Sequence, residues 1–502
     1  MNQSATRNWR SLATDLSVEI KPFLNGSHHD ATSDSLFSAT NPATGLIHFQ
    51  YHISSADNVD SAVLAAKTAW EEKWRDINPS QRKHILLTLA DAIISNSRDL
   101  ALFDCLDMGK PIQAALQEIF PAAGFIRYYA ESIDKISRGS VAPTSPDSME
   151  IQTYRPHGVV AALTPWNFPL INTCLKIGPA LAAGNTVVIK PSELTPRSTL
   201  LLASLAQESG VPDGVINVLP GDASTGEALV KHPLVDHITF TGSSTTGKTI
   251  LRTIGDSTIK SLHLECGGKS PEIVFSDIQR HDLSEVSKSI LRASLWNQGQ
   301  VCVSRSRILI QQEVYQKLTA ELVRQAQSFT PQDPLDEATT FGPLSSKRQL
   351  EQVATYIEAG CKSGAKLNLD GRNACTSEPG FFMGPTIFSD VDPDSSIAQE
   401  EIFGPVLSVL PFKDEQDAIN IANNSRYGLA ATLWTKNISR ANKFASQLRA
   451  GKIHIIASTN QAEGAGFAHS AEPVGQSGFG VEGGTNGFLS YMRQQSITFS
   501  MD

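Results

Sequence analysis

The stretch Gly158–Lys190, GVVAALTPWNFPLINTCLKIGPALAAGNTVVIK, decides the fold. Its opening VVAAL (159–163) is short and wholly apolar, the signature of a buried strand. Leu175 to Ala183 has the spacing of a helix, with Gly184 as its stop, and TVVI (186–189) reads as a second buried strand. Working outward, the alternation continues. Thr195-Pro196 offers an N-cap followed by proline at the first helical position, for a helix that stops at Gly210. HITF (237–240) makes another strand and leads through Thr241-Gly242 into a further helix. Such units imply an α/β fold, a parallel sheet with helices on both faces, and sheets of this kind bind ligands at the carboxyl ends of their strands. Upstream, helices are expected from Ala62 to Trp74 and from Pro79 onward, where Ile85, Leu86, Leu89 and Ile93 share a face. A second set of alternating elements, from about Pro271 to Ala468, implies a second α/β domain. The closing SYMRQQSITFS (490–500) ends in a strand-like stretch of the sort that pairs with another subunit.

Size agrees with more than one domain, because 502 residues exceed what a single hydrophobic core usually holds. The net charge of −9 and the lack of any Lys/Arg run exclude a protein that grips nucleic-acid backbone. Met1 to Leu12 lacks the apolar stretch of a secretory signal, and no run of 18 apolar residues would span a membrane, so a cytoplasmic protein is expected. The six cysteines (Cys105, Cys174, Cys266, Cys302, Cys361 and Cys375) include no Cys-x-x-Cys pair and form no disulfide framework.

Six segments carry chemistry. WNQGQVCV (296–303) surrounds one thiol, Cys302, with a flexible glycine and amide side chains; a thiol is the strongest side-chain nucleophile near neutral pH. In LECGGK (264–269) two glycines follow Glu265 closely, which predicts a backbone free to bend and a carboxylate that swings, as a general base requires. TPWNFP (164–169) mounts the Asn167 amide between two prolines, suiting an oxyanion donor aimed in advance. In KPSE (190–193), Lys190 and Glu193 are spaced to take the hydroxyls of a ribose. FTGSSTTG (240–247) places glycines where a backbone can approach a pyrophosphate at a helix N-terminus. EEIFGPV (400–406) suits a loop gripping one end of a cofactor. Taken singly, each also fits an ordinary turn or a buried small residue. GSSTTGKT (242–249) satisfies the Walker A pattern letter for letter, so a P-loop NTPase is the rival reading.

In order and spacing the six segments resemble the aldehyde dehydrogenase superfamily over essentially the whole chain, from LDMGKP (106–111) to the terminal strand. The resemblance implies a Rossmann-like dinucleotide-binding domain (1–136 and 157–268), a second α/β catalytic domain (269–482) and a small β oligomerisation extension (137–156 and 483–502). It implies NAD as cofactor, with NADP possible, a small-molecule aldehyde substrate, and a homodimer or homotetramer. Carried over residue by residue, Cys302 attacks the aldehyde, Asn167 and the Cys302 N–H hold the oxyanion, and Glu265 activates the hydrolytic water. The cofactor would be held by Thr164, Pro165, Trp166, Lys190, Ser192, Glu193, Gly242, Ser243, Gly247, Glu401 and Phe403. Asp107, Phe168, Leu175, Val301 and Val303 would face the substrate, with Asp107 drawing in a cationic end. Lys176 and Glu482 match positions that pass protons outward. NAD is preferred because Glu193 would repel a 2′-phosphate. The P-loop rival explains none of the other five segments.

Phrases such as AESIDKI, CGGKSPEIVF and LDEATTFGPL point toward the γ-glutamyl-aminobutyraldehyde and related amino-aldehyde branch. An aromatic or heterocycle-derived semialdehyde is the alternative. Three departures bear on this: Cys266 replaces the usual apolar residue, Leu175 stands where many relatives carry Trp, and 453–477 lacks the usual P-F-G-G-x-K signature of the loop that lines the substrate entrance in this family.

Overall fold

The computed structural model describes residues 9–137, 139–280, 283–374, 379–458 and 466–500. Its largest sheet has eight strands, in the order 478–479, 261–265, 237–241, 159–163, 186–190, 216–218, 23–24 and 27–28. The strands Val159–Leu163, Thr186–Lys190, Ile216–Val218, His237–Thr241 and Ser261–Glu265 all run parallel. From the central Val159–Leu163 the chain continues to one side through 186–190 and to the other through 237–241. That change of direction is the topological switch point where such sheets open a crevice. Side chains alternate across the sheet with period two. Val160, Ala162, Val187 and Ile189 pack in one core, and Val159, Ala161, Leu163 and Val188 in another on the opposite face.

The second sheet has seven strands, with Pro271–Val274 and Arg307–Gln311 at its centre; all its pairings are parallel except that of Lys366–Leu369 with Thr386–Ser389. Two further cores cover its faces. A three-stranded sheet joins Gly139–Ala142, Ser148–Pro156 and Met492–Ser500. Among the described residues no helix is long and apolar enough to cross a membrane.

Several element ends differ from expectation for identifiable reasons. The helix expected from Leu175 starts at Pro169, because that proline occupies the first helical turn; Gly184 closes it at φ 102°. The next helix spans Arg197–Glu208 with Pro196, not Thr195, flanking it, and no side chain caps it. The helix expected at 62 begins at Ala56, where Ser55 and Asn58 form a capping box, and widens to a π-turn over Trp70–Trp74. The terminal strand Met492–Ser500 pairs with Ser148–Pro156 of its own chain, residue for residue, so its inner edge is satisfied without a partner.

Candidate active site

The carboxyl ends of the first sheet's parallel strands carry the expected segments. Leu163 leads into Thr164–Pro169, Thr186–Lys190 ends at Lys190, His237–Thr241 leads into Gly242, and the base strand ends at Glu265. Ser243 caps the helix Ser244–Gly255, its hydroxyl accepting from Thr246 N at 3.1 Å, so the helix's first N–H groups face the crevice end of the sheet. Lys190 lies 3.4 Å from Glu193, and burial lowers its pKa. Thr164 Oγ1 is buried with no partner in the structure, and a Cβ at Gly247 would come within 2.9 Å of Cys266 Sγ. An orphaned hydroxyl, a part-exposed Lys–Glu pair and a helix N-terminus fit a dinucleotide with ribose hydroxyls and phosphates. Lys248, the Walker-type lysine, instead points at Gln476 Oε1, 3.1 Å away.

The thiol segment is bent by three consecutive left-handed residues, Asn297, Gln298 and Gly299 (φ 51°, 58° and 71°). Asn and Gly tolerate this region; Gln does so only where surrounding contacts hold it. The residues on either side of Gln298 are held. Asn297 Nδ2 donates to Asn167 O at 3.0 Å, Asn167 Nδ2 donates to Gln300 O at 2.9 Å, and Ser345 N donates to Gln300 Oε1 at 2.9 Å. The Asn167 amide is thereby fixed against the chain two residues before Cys302. Cys302 itself is half-buried. Burial, then the Glu401 and Glu265 carboxylates, push its thiol up to about 12, opposed only by a hydrogen bond from the Val303 N–H.

Glu265 corrects the expectation of a bending backbone. It is paired on one side with Thr241 and on the other with Gly478, and the next N–H, that of Cys266, donates to Ser477 O at 2.8 Å. The two glycines serve close approach instead. A Cβ at Gly267 would overlap the Glu401 carboxylate, and one at Gly268 would lie 2.6 Å from Cys302 O. The Gly268 N–H donates to Glu401 Oε1 at 3.1 Å. Burial raises Glu401 to about 7 and lifts Glu265 well above the usual carboxylate range, with Glu482 adding to the latter and Lys176 opposing it. Lys176 is buried and bonds Glu482 at 3.0 Å and Thr239 Oγ1 at 3.1 Å.

Phe168 packs against Trp296 with ring centroids 4.9 Å apart, and Trp166 meets Phe403 edge-on at 5.3 Å. Val301 is buried, Val303 exposed and Leu175 half-buried. Asp107 does not match its expected role. It is buried and accepts from Arg197 Nε at 2.7 Å, so its charge is spent inside the fold and is not offered to a cationic substrate. Of the departing loop, 459–465 lies outside the described residues; Phe467 after it rests over Gly124, 5.1 Å from Phe125. Sequence reasoning missed Ser477 and the orienting pair Asn297 and Gln300. The N-Q-G run was a visible hint of a left-handed turn, whereas nothing local marks Ser477.

Comparison with known proteins agrees with this fold. The model of the aldehyde dehydrogenase family matches residues 28–497. The chain is 42% identical over 458 residues to the NADP/NAD-dependent aldehyde dehydrogenase PuuC of Escherichia coli (strain K12), covering 91% of each. Among solved structures it superimposes on the γ-glutamyl-γ-aminobutyraldehyde dehydrogenase of Burkholderia cenocepacia J2315 with a TM-score of 0.94 (37% identity, 99% of each chain). It superimposes on the P. syringae indole-3-acetaldehyde dehydrogenase AldA, solved with NAD+, with a TM-score of 0.95 (38% identity, 98% of this chain and 99% of that one). The family model spans most of the chain and the relatives cover nearly all of it, so the chain belongs to the aldehyde dehydrogenase family, oxidoreductases that use NAD or NADP.

Proposed function

We propose that the chain oxidises a polar semialdehyde or amino-aldehyde to its carboxylic acid through a thioester on Cys302, with NAD as the preferred acceptor. The Cys302 thiol gives up its proton as Sγ bonds to the aldehyde carbon, and the oxygen that takes up the carbonyl electron pair is held by Asn167 Nδ2 and the Cys302 N–H. NAD, when bound, accepts the hydride that leaves this carbon. Glu265 then takes a proton from water, whose oxygen attacks the thioester carbonyl and releases the acid and the thiol. A pKa lifted above the ordinary carboxylate range makes Glu265 a stronger base for that step. Glu265 returns its proton to the departing sulfur, Lys176 and Glu482 would carry out the net proton, that lost by Cys302 on attack, and Glu401 and Phe403 would seat the nicotinamide end. Thr164 to Trp166, Lys190, Ser192, Glu193, Gly242, Ser243 and Gly247 would seat the rest.

The observation that carries this reading is the Asn167 amide bonded to the carbonyl two residues before a thiol flanked by Glu265 and Glu401. Cys302→Ala should keep NAD binding and make no NADH; turnover in that variant would defeat the assignment. Preference for a polar or amino-aldehyde leans on the Burkholderia relative, since Asp107 no longer supports it. An aromatic aldehyde is the second reading, favoured by the Phe168–Trp296 pair, with Trp296 exposed, and by the indole-3-acetaldehyde relative. The same proposal divides the chain into units 1–136 with 157–268, 269–482, and 137–156 with 483–502. It makes the molecule a cytoplasmic homodimer or homotetramer, the exposed Val141 and Phe499 of the small sheet being candidates for contact between copies.

A further inference from the structure

Segment 476–479 returns from the second half of the chain to close the edge of the first sheet. Its Gly478–Phe479 strand pairs antiparallel with the base strand, opposite Glu265 and Leu264. Ser477 beside it is completely buried and uses every polar atom near the site. Its carbonyl accepts from Cys266 N at 2.8 Å, and its hydroxyl donates to Gly267 O at 2.7 Å and accepts from Gly428 N at 3.0 Å. Gln476 fastens the other side: its carbonyl accepts from Ser244 Oγ at 2.8 Å and its Oε1 from Lys248 Nζ at 3.1 Å.

The nucleophile is held differently. Asn167, Asn297, Gln300 and Ser345 fix the approach to Cys302 without any bond to Ser477. Two hydrogen-bond networks therefore hold the two halves of the chemistry, and they meet where Gly268 packs against Cys302 O and donates to Glu401. One sets the thiol and the oxyanion donor, and the other sets the peptide that follows the base. We infer that Ser477 is a positioning residue for thioester hydrolysis: its hydroxyl fixes the 266–268 peptide and so the root from which Glu265 reaches its water. This rests on the proposed roles of Cys302 and Glu265.

Ser477→Ala removes the hydroxyl and adds no volume. Rapid mixing of the full-length variant with NAD and aldehyde should give a burst of NADH equal to the active sites, at a rate within about threefold of wild type. Steady turnover should then fall about tenfold or more. Hydroxylamine should restore it, because its nitrogen attacks the thioester carbonyl directly, forms a hydroxamate and frees the thiol without a base. Ser477→Cys, a weaker donor at the same place, should fall between S477A and wild type, and serves in its stead if S477A does not fold. A wild-type ratio of burst to steady rate overturns the inference. So does a burst that falls together with the steady rate and does not respond to hydroxylamine. Cys302→Ala separates the two levels: NADH from that variant sinks the underlying reading, whereas a silent C302A beside an unaltered S477A sinks only the role of Ser477.

Discussion

Removing the Asn167 amide tests the oxyanion site directly. Nδ2 carries two hydrogens, and one is committed to Gln300 O at 2.9 Å. The other is the donor available to a developing negative oxygen. In Asn167→Ala both are lost. Gln300 O keeps a weaker contact from Asn297 Nδ2 at 3.5 Å, so folding should lose only about 1 kcal/mol, the typical net value of one hydrogen bond. The transition state loses more, about 3 kcal/mol by comparison with other preorganised oxyanion donors, or roughly a hundredfold in kcat. KM for the aldehyde should change little, since the neutral carbonyl gains less from the amide than the oxyanion does. The assay is steady-state NADH formation at saturating aldehyde and NAD, with a thermal melt alongside. Asn167→Asp, which keeps the shape and replaces the donor by an acceptor facing Gln300 O, should fall further. A kcat for Asn167→Ala within about threefold of wild type, in a protein that melts normally, would refute the assignment.

Two other outcomes follow from the same geometry. With the Cys302 thiol pushed up to about 12, alkylation of the cofactor-free enzyme by iodoacetamide should accelerate about tenfold per pH unit from pH 7 to 10, with no plateau near 8 to 9; the rate constant against pH is the measurement, and an early plateau would contradict the raised value. Gly267→Ala puts a methyl into the Glu401 carboxylate and breaks its bond from the Gly268 N–H, a charge-assisted contact of about 1.5–3 kcal/mol. KM for NAD should rise about tenfold or more. An unchanged KM would show that Glu401 does not hold the cofactor.

What the sequence made legible was what depends on local pattern. Apolar runs such as VVAAL and TVVI place strands without reference to their neighbours, and the core of the first sheet follows from them. The amide and base segments sit at strand ends, where loops after strands carry the polar residues, whereas the thiol segment follows the helix Leu283–Leu295 and is marked by its N-Q-G turn. What stayed hidden depends on residues far apart in the chain. Whether the glycines of LECGGK bend or admit a neighbour is decided by Glu401, Cys302 O and Ser477, none of them close in sequence. Asp107 reads as an available carboxylate until Arg197, ninety residues on, is seen bonded to it. The terminal strand's alternation alone does not say whether its partner comes from its own chain or another; only the resemblance grouped it with 137–156, with which it pairs.

The electrostatics of the site explain why its carboxylates do not defeat it. Burial, Glu401 and Glu265 all oppose ionisation of Cys302, with Glu482 adding a smaller push, and only the Val303 N–H favours it. In isolation that is a poor nucleophile, since a thiol near 12 is almost wholly protonated at pH 7. The same field is favourable to a cation. A positive charge brought within about 5 Å of the sulfur would stabilise the thiolate by about 3 kcal/mol at an effective dielectric of 20, or about two pKa units. The oxidised dinucleotide carries such a charge on its ring, and in the proposed function Glu401, bonded to the Gly268 N–H, would receive that end. Burial, more than the neighbouring carboxyls, holds the resting sulfur above the usual thiol range, and on the proposed roles a cationic ring seated beside it would lower that value as the oxidant arrives.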